Sequence, residues 1–170
     1  KTVIELKVTD QTSIRVLVIE GKKLGKTVVV TAGVHGCEYI GIEALRQLGQ
    51  ELEPENMSGR LILIPVVNEA GFYAGARQVN PSDGKNLNRE FPGKEDGTIT
   101  QRIAKVLEQE INYEMRMDYY RFLRRNKFKN GMMFTRATEL YLEEHGMREL
   151  IPEETLLKSY FLWVKKVERK

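Results

Sequence analysis

Two side chains three residues apart, His35 and Glu38, carry donor types that zinc accepts: a neutral imidazole and a carboxylate. They belong to the segment Ala32-Gly33-Val34-His35-Gly36-Cys37-Glu38. A catalytic zinc usually takes three protein ligands and a water, so this pair needs a further donor. The same residues also read as a helix N-terminus bearing a favourable Glu after an isolated His. Spacing alone leaves both readings open. The elements that would position the pair are legible on either side. Thr27 to Thr31 is β-branched and uncharged, as a buried parallel strand would be. Glu38 to Arg46 places apolar residues on one face of a helix. His35 is therefore predicted in the turn leaving a strand's carboxyl end, and Glu38 on the first helical turn. Open α/β sheets bind ligands at that place.

A second polar stretch, Asn80-Pro81-Ser82-Asp83-Gly84-Lys85-Asn86-Leu87-Asn88-Arg89-Glu90-Phe91-Pro92-Gly93, reads as a Gly/Pro-punctuated loop. Taken with His35-Gly36-Cys37-Glu38 and with Arg77 ahead of it, this stretch resembles the succinylglutamate desuccinylase/aspartoacylase family of the zinc carboxypeptidase superfamily. The shared features are the His-Gly-x-Glu pair and the Asp-Gly-Lys-Asn-Leu-Asn-Arg run ending in Phe-Pro-Gly. The resemblance covers residues 1–120.

It implies a role for each matching position. His35 and Glu38 would ligate one zinc per chain. Asn88 and Arg89 would bind the substrate's carboxylate, and Arg77 would polarise the scissile carbonyl and steady its oxyanion. Residue chemistry agrees, because Arg grips a carboxylate through two parallel charge-assisted hydrogen bonds that Lys cannot copy. Without the resemblance, Arg77 and Arg89 read as solvated loop charges.

The resemblance breaks after Tyr120. The family carries its third zinc ligand as His in an Asp-Leu-His-Ser-Gly-like strand end, and Met117-Asp118-Tyr119-Tyr120 matches the approach to it. In register, the position due for His holds Arg124, whose guanidinium has no lone pair for a metal and would repel it. The family's general-base Glu and its C-terminal domain fall beyond residue 170, so no residue is assigned as base. The chain begins on a strand-like segment without an initiator Met, and it reads as a processed, truncated or altered piece.

His145 is the other histidine of the sequence. It sits at the end of a helical stretch closed by Gly146, where the helix dipole favours it. It would become the third ligand only if that helix folded back over the sheet end. Cys37 is a conceivable thiolate ligand or a small buried residue.

At 170 residues and 41% hydrophobic, the chain fits one soluble domain with a real core. A single Cys excludes an intramolecular disulfide and suits a reducing cytoplasm. No uninterrupted apolar run would span a bilayer, so no membrane partner is expected. A net charge of +3 does not imply a nucleic-acid protein. Between Arg116 and Lys129, however, basic residues alternate with Tyr119, Tyr120, Phe122 and Phe128. Such a mixture can contact phosphates and bases, serve a membrane surface or partner, or form a solvated helix face whose aromatics pack inward.

Strands are predicted near 2–8, 13–20, 26–33 and 60–67, with a helix near 38–53 and a turn at 21–25. A loop follows over 68–97, then a helix from Thr98 to at least Met115, and charged, helix-prone sequence to His145. The last helix starts at 151–154, with a core stripe of Leu156, Leu157, Tyr160, Phe161 and Val164; a homo-oligomer contact is the alternative use of that stripe. These elements predict a three-layer αβα protein with a shortened mixed sheet, a zinc-carboxypeptidase-like single domain over 1–170. Residues 1–120 form its family-like core and 121–170 a divergent helical segment. The resemblance implies a zinc-dependent amidohydrolase acting on an N-acyl amino acid or related carboxylate, truncated or impaired here. The alternatives are a non-catalytic binding or assembly module and, behind it, nucleic-acid binding through 116–129.

Overall fold

The computed structural model describes residues 1–168. Four strands form one mixed sheet in the order β1-β2-β4-β3. They are β1 (Thr2–Lys7), β2 (Ser13–Glu20), β3 (Lys23–Thr31) and β4 (Ser58–Ile64). β2 pairs antiparallel with β1 and with β4, while β3 lies parallel to β4. The β3–β4 crossover carries α1 (Tyr39–Glu51). The sequence places the strands well, with two differences. β3 begins at Lys23, so the turn predicted over 21–25 shrinks to Gly21-Lys22, and a register shift between Lys23 and Thr27 absorbs the glycine-containing stretch. β4 ends at Ile64 because Pro65 cannot donate to the ladder.

Alternation along the strands sorts side chains to the two faces. Val16, Val18, Ile62 and Ile64 pack with Ile103, Ala104 and Leu107 from the start of α3 (Ile99–Asn130). Ile19 and Leu63, with Leu17 and Leu61 beside them, pack with Leu45 of α1 on the other face. A helix therefore covers each face, and burying a side chain such as Leu63 contributes about 1.5–3 kcal/mol.

The predicted loop over 68–97 contains a short helix, α2 (Glu69–Tyr73), and a 3₁₀ turn at Leu87–Arg89. α3 runs to Asn130, through the stretch where the family resemblance predicts a return to the sheet. α4 (Phe134–Glu144) and α5 (Glu153–Val167) follow. The chain divides into two compact units, Lys1–Asn112 and Tyr113–Lys170, and α3 belongs to both. The second unit has an aromatic core of Tyr119, Tyr120, Tyr141 and Tyr160, with Leu123 and Ala137. Leu156, Leu157 and Val164 of the predicted α5 stripe join it, but Phe161 is exposed and Trp163 packs in its place. In the basic segment, Tyr119 and Tyr120 are buried and Phe128 points outward. No helix among the described residues is long and apolar enough to cross a membrane.

Candidate functional site

The turn after β3 is held by backbone bonds before any side chain acts. Ala32 N–H donates to Ile64 O at 2.9 Å, and its carbonyl accepts from Val67 N–H at 3.1 Å. Asn68 is buried; its N–H donates to Gly33 O at 2.9 Å, and its side-chain oxygen accepts from Gly71 N–H at 3.0 Å. Gly36 lies so close to α2 that a Cβ there would stand 2.0 Å from Gly71 O. Only glycine fits between His35 and Cys37 while the turn keeps this packing.

His35 and Glu38 converge. His35 Nδ1 lies 2.8 Å from Glu38 Oε1, and His35 N–H donates to Glu38 Oε2 at 3.1 Å. Glu38 is the N-cap of α1, one residue before its first turn, and its carboxylate bends back to His35 instead of capping the helix. Partial burial pulls its carboxyl upward, but the His35 backbone N–H and ring and the Val34 backbone outweigh that and hold it below the ordinary carboxylate range.

Asn86 fixes the ring from the other side, a role the sequence reading does not assign. Its Oδ1 accepts from Asn88 N–H at 2.9 Å and lies 3.2 Å from His35 Nε2. Each ring nitrogen thus faces an acceptor, Nε2 the Asn86 amide oxygen and Nδ1 the Glu38 carboxylate, so a cation between His35 and Glu38 would take the place of the proton on Nδ1. A partner on the far nitrogen is the kind of contact that orients a metal-binding His. The signal present in the sequence is an Asn two residues before a backbone N–H, which is the spacing of an Asx turn.

The same Asn86 couples His35 to the carboxylate-binding candidates. Leu87 is fully buried and anchors the 3₁₀ turn, while Asn88 and Arg89 are exposed beside it. Arg89 Nη1 donates to Asn88 O at 3.2 Å. Arg77 is exposed and meets the turn through its backbone, its carbonyl accepting from Cys37 Sγ at 3.4 Å. Cys37 is therefore an exposed thiol on a carbonyl, which differs from the buried small residue expected. The loop is tied to α3 by Asp83. Its carboxylate accepts from Thr100 N–H at 2.9 Å and from Thr100 Oγ1 at 2.6 Å. Burial pulls the Asp83 carboxyl up, but the Thr100 hydroxyl and N–H, with Thr98 and Lys85, hold it below its ordinary range.

The His35 ring is thus held between the Glu38 carboxylate and the Asn86 amide. Among the described residues no group of three or more His, Cys, Asp or Glu side chains is arranged to hold a metal. Arg124 is an exposed residue on α3, not at a strand end. His145 caps α4, where its Nδ1 donates to Tyr141 O at 2.8 Å. Its ring stacks on Tyr141 with centroids 4.0 Å apart, and Nε2 lies 3.7 Å from Asp118 Oδ2.

Comparison with known proteins matches the segment that contains His35, Glu38, Arg77, Asn88 and Arg89. The model of the succinylglutamate desuccinylase/aspartoacylase catalytic domain matches residues 24–119. N-alpha-acetyl-L-2,4-diaminobutyric acid deacetylase of Halomonas elongata is 48% identical over 80 residues, covering 47% of this chain and 23% of that protein. A succinylglutamate desuccinylase structure from Silicibacter sp. TM1040 is 41% identical with a TM-score of 0.56, covering 61% of this chain and 31% of that one. The product-bound ectoine utilization protein EutE (DoeB) of Ruegeria pomeroyi is 39% identical, with the same TM-score and coverage of 61% and 31%. The chain thus spans between 23% and 31% of the length of these relatives.

Proposed function

This chain belongs to the succinylglutamate desuccinylase/aspartoacylase family, and we propose that it carries the two-donor, carboxylate-recognising part of a zinc-dependent deacylase site for N-acyl amino acids. The observation that carries the reading is the His35 ring held between Glu38 and Asn86. In this reading His35 Nδ1 and the Glu38 carboxylate hold the metal. When bound, zinc would supply a Lewis acid for a carbonyl and an activated water. Asn88 and Arg89 grip the substrate's carboxylate from a turn anchored by Leu87, and Arg77 steadies charge on the scissile carbonyl. The substrate class follows the names of relatives that act on acetylated or succinylated amino acids.

Two donors bind zinc weakly, and the residue due as the third ligand is the cation Arg124. The chain as given is therefore expected to hydrolyse such substrates very slowly or not at all. A binding module is the second reading, favoured by the placement of Asn88 and Arg89 on a core-anchored turn that needs no metal to form. Titration with N-acetylaspartate should show binding that weakens strongly in Arg89→Ala, and equal affinities would overturn the carboxylate assignment. A hydrolysis assay with added zinc on wild type, His35→Ala and His145→Ala should show no turnover. Robust turnover lost in both variants would make His145 the third ligand.

A further inference from the structure

Several surface cations of this chain sit one helical turn from a carboxylate. Arg46 pairs with Glu43 at 2.6 Å, Lys105 with Glu108 at 2.9 Å and Arg136 with Glu139 at 3.0 Å. The end of α3 differs. From Arg121 to Lys129 it holds five cations and no Asp or Glu, and none of the five forms an ion pair among the described residues. Lys127 turns back onto the Phe134 ring at 5.3 Å. The other four share a face with Phe128. Arg121, Arg125 and Lys129 follow at four-residue intervals, and Arg124 and Phe128 form the adjoining row. Arg121, Arg124 and Lys129 are exposed, and Arg125 lies 5.3 Å over the Phe122 ring. Phe128 is 70% exposed, while Tyr119, Tyr120 and Leu123 of the same helix are buried in the aromatic core. Like charges four residues apart oppose a helix. The helix dipole offsets that for Lys127 and Lys129 in the last turn, but not for the three arginines before them.

We propose that this face binds single-stranded nucleic acid. Four residues of helix rise about 6 Å, so the row Arg121, Arg125, Lys129 offers cations at a regular short interval that the phosphates of one strand can follow. Guanidinium forks bind phosphate bidentately, and the exposed Phe128 ring gives an unpaired base a surface to stack on. A duplex keeps its bases stacked inside, out of reach of that ring. A lipid surface fits less well, because a helix lying on it must bury a continuous apolar face. The apolar side of α3 already faces the core, and the outward side sets one ring among four cations. The proposal rests on the second unit alone and stands whether or not His35 and Glu38 hold a metal.

Fluorescence anisotropy of labelled oligothymidylate and oligouridylate with the full chain tests it. Wild type should bind at least one of them, and the pair tells DNA from RNA. Log affinity should fall against log salt with a slope of about −2 to −3, which is about −0.7 for each of three or four phosphate contacts. Joint Arg121→Gln and Lys129→Gln should weaken binding and flatten that slope by about 1.4. Circular dichroism should be unchanged, because the exchange removes like charges from the surface of the helix. Phe128→Ala should weaken binding about tenfold at an unchanged slope. No binding to either strand at low salt would overturn the proposal, as would a slope that the double variant leaves intact. So would a duplex or polyglutamate that competes as well as the unlabelled strand, or capture by phosphatidylserine vesicles in place of either strand.

Discussion

Residues 1–112 and residues 113–168 bury their apolar surface with different materials, and the difference locates the chemistry. The first unit packs aliphatic side chains on both faces of a sheet. Its buried polar residues Asn68, Asn80 and Thr100 order the segments at the carboxyl end of the strands. That leaves a histidine, a carboxylate and an amide converging at a strand end. The second unit packs phenol rings, and its polar groups are used in holding helices together. Tyr119 Oη and Thr138 Oγ1 are 2.8 Å apart, and Tyr141 Oη donates to Asp118 at 3.2 Å. Burial pushes the Tyr119 and Tyr141 hydroxyls well above the ordinary tyrosine range, so both stay protonated. Polar side chains aimed at one another in this way build a core, whereas those of the first unit converge on a point.

The sharpest way to break this comparison is to truncate equivalent core residues. Leu63→Ala in the first unit should cost about 2–5 kcal/mol in denaturant unfolding and disturb the resonances of His35 and Glu38. Leu123→Ala, equally buried in the second unit, should cost a similar amount while leaving those two resonances in place. Equal disturbance by both would show that the units do not separate function from packing.

A smaller effect is expected at the loop anchor. Asp83→Ala removes the acceptor of the Thr100 N–H in the first turn of α3 and should cost about 0.5–2 kcal/mol. Because the folded carboxyl lies below its ordinary value of 3.8, its contribution is full above that value and is lost as pH falls through the lower folded one. Acid titration of stability should therefore be shallower in Asp83→Ala than in wild type.

The smallest effect belongs to the second unit. Tyr119→Phe should cost about 0.5–1.5 kcal/mol, because Thr138 keeps its bond to Phe134 O. It should leave N-acetylaspartate binding unchanged, and a change in that binding would carry chemistry into the aromatic unit.

Much of the first unit was legible because its signals are local. Alternating β-branched strands, a Gly-bracketed turn and an amphipathic helix predict the βββαβ order within a few residues, and the two motifs mark the segments that meet. What the sequence hides is mutual geometry. Asn86 stands within the quoted motif, yet its role needs His35 to approach from 51 residues away. Glu38 becomes a cap residue that does not cap because the His35 ring competes for its carboxylate. Phe161 keeps helical spacing with the α5 stripe, but it is exposed and Trp163 packs against Tyr120. The long helix through Arg124 was foreshadowed by charged, helix-prone sequence, although the family resemblance argues for a strand there.

The proposed zinc site rests on two donors, His35 and Glu38. Zinc content of the full chain, purified without chelator and dialysed, tests it most directly. The account predicts far less than one zinc per chain after dialysis. Added zinc should shift the His35 ring resonances reversibly, and that shift should vanish in Glu38→Ala. One zinc per chain retained through dialysis, and lost in His35→Ala, would contradict the account by requiring a third ligand.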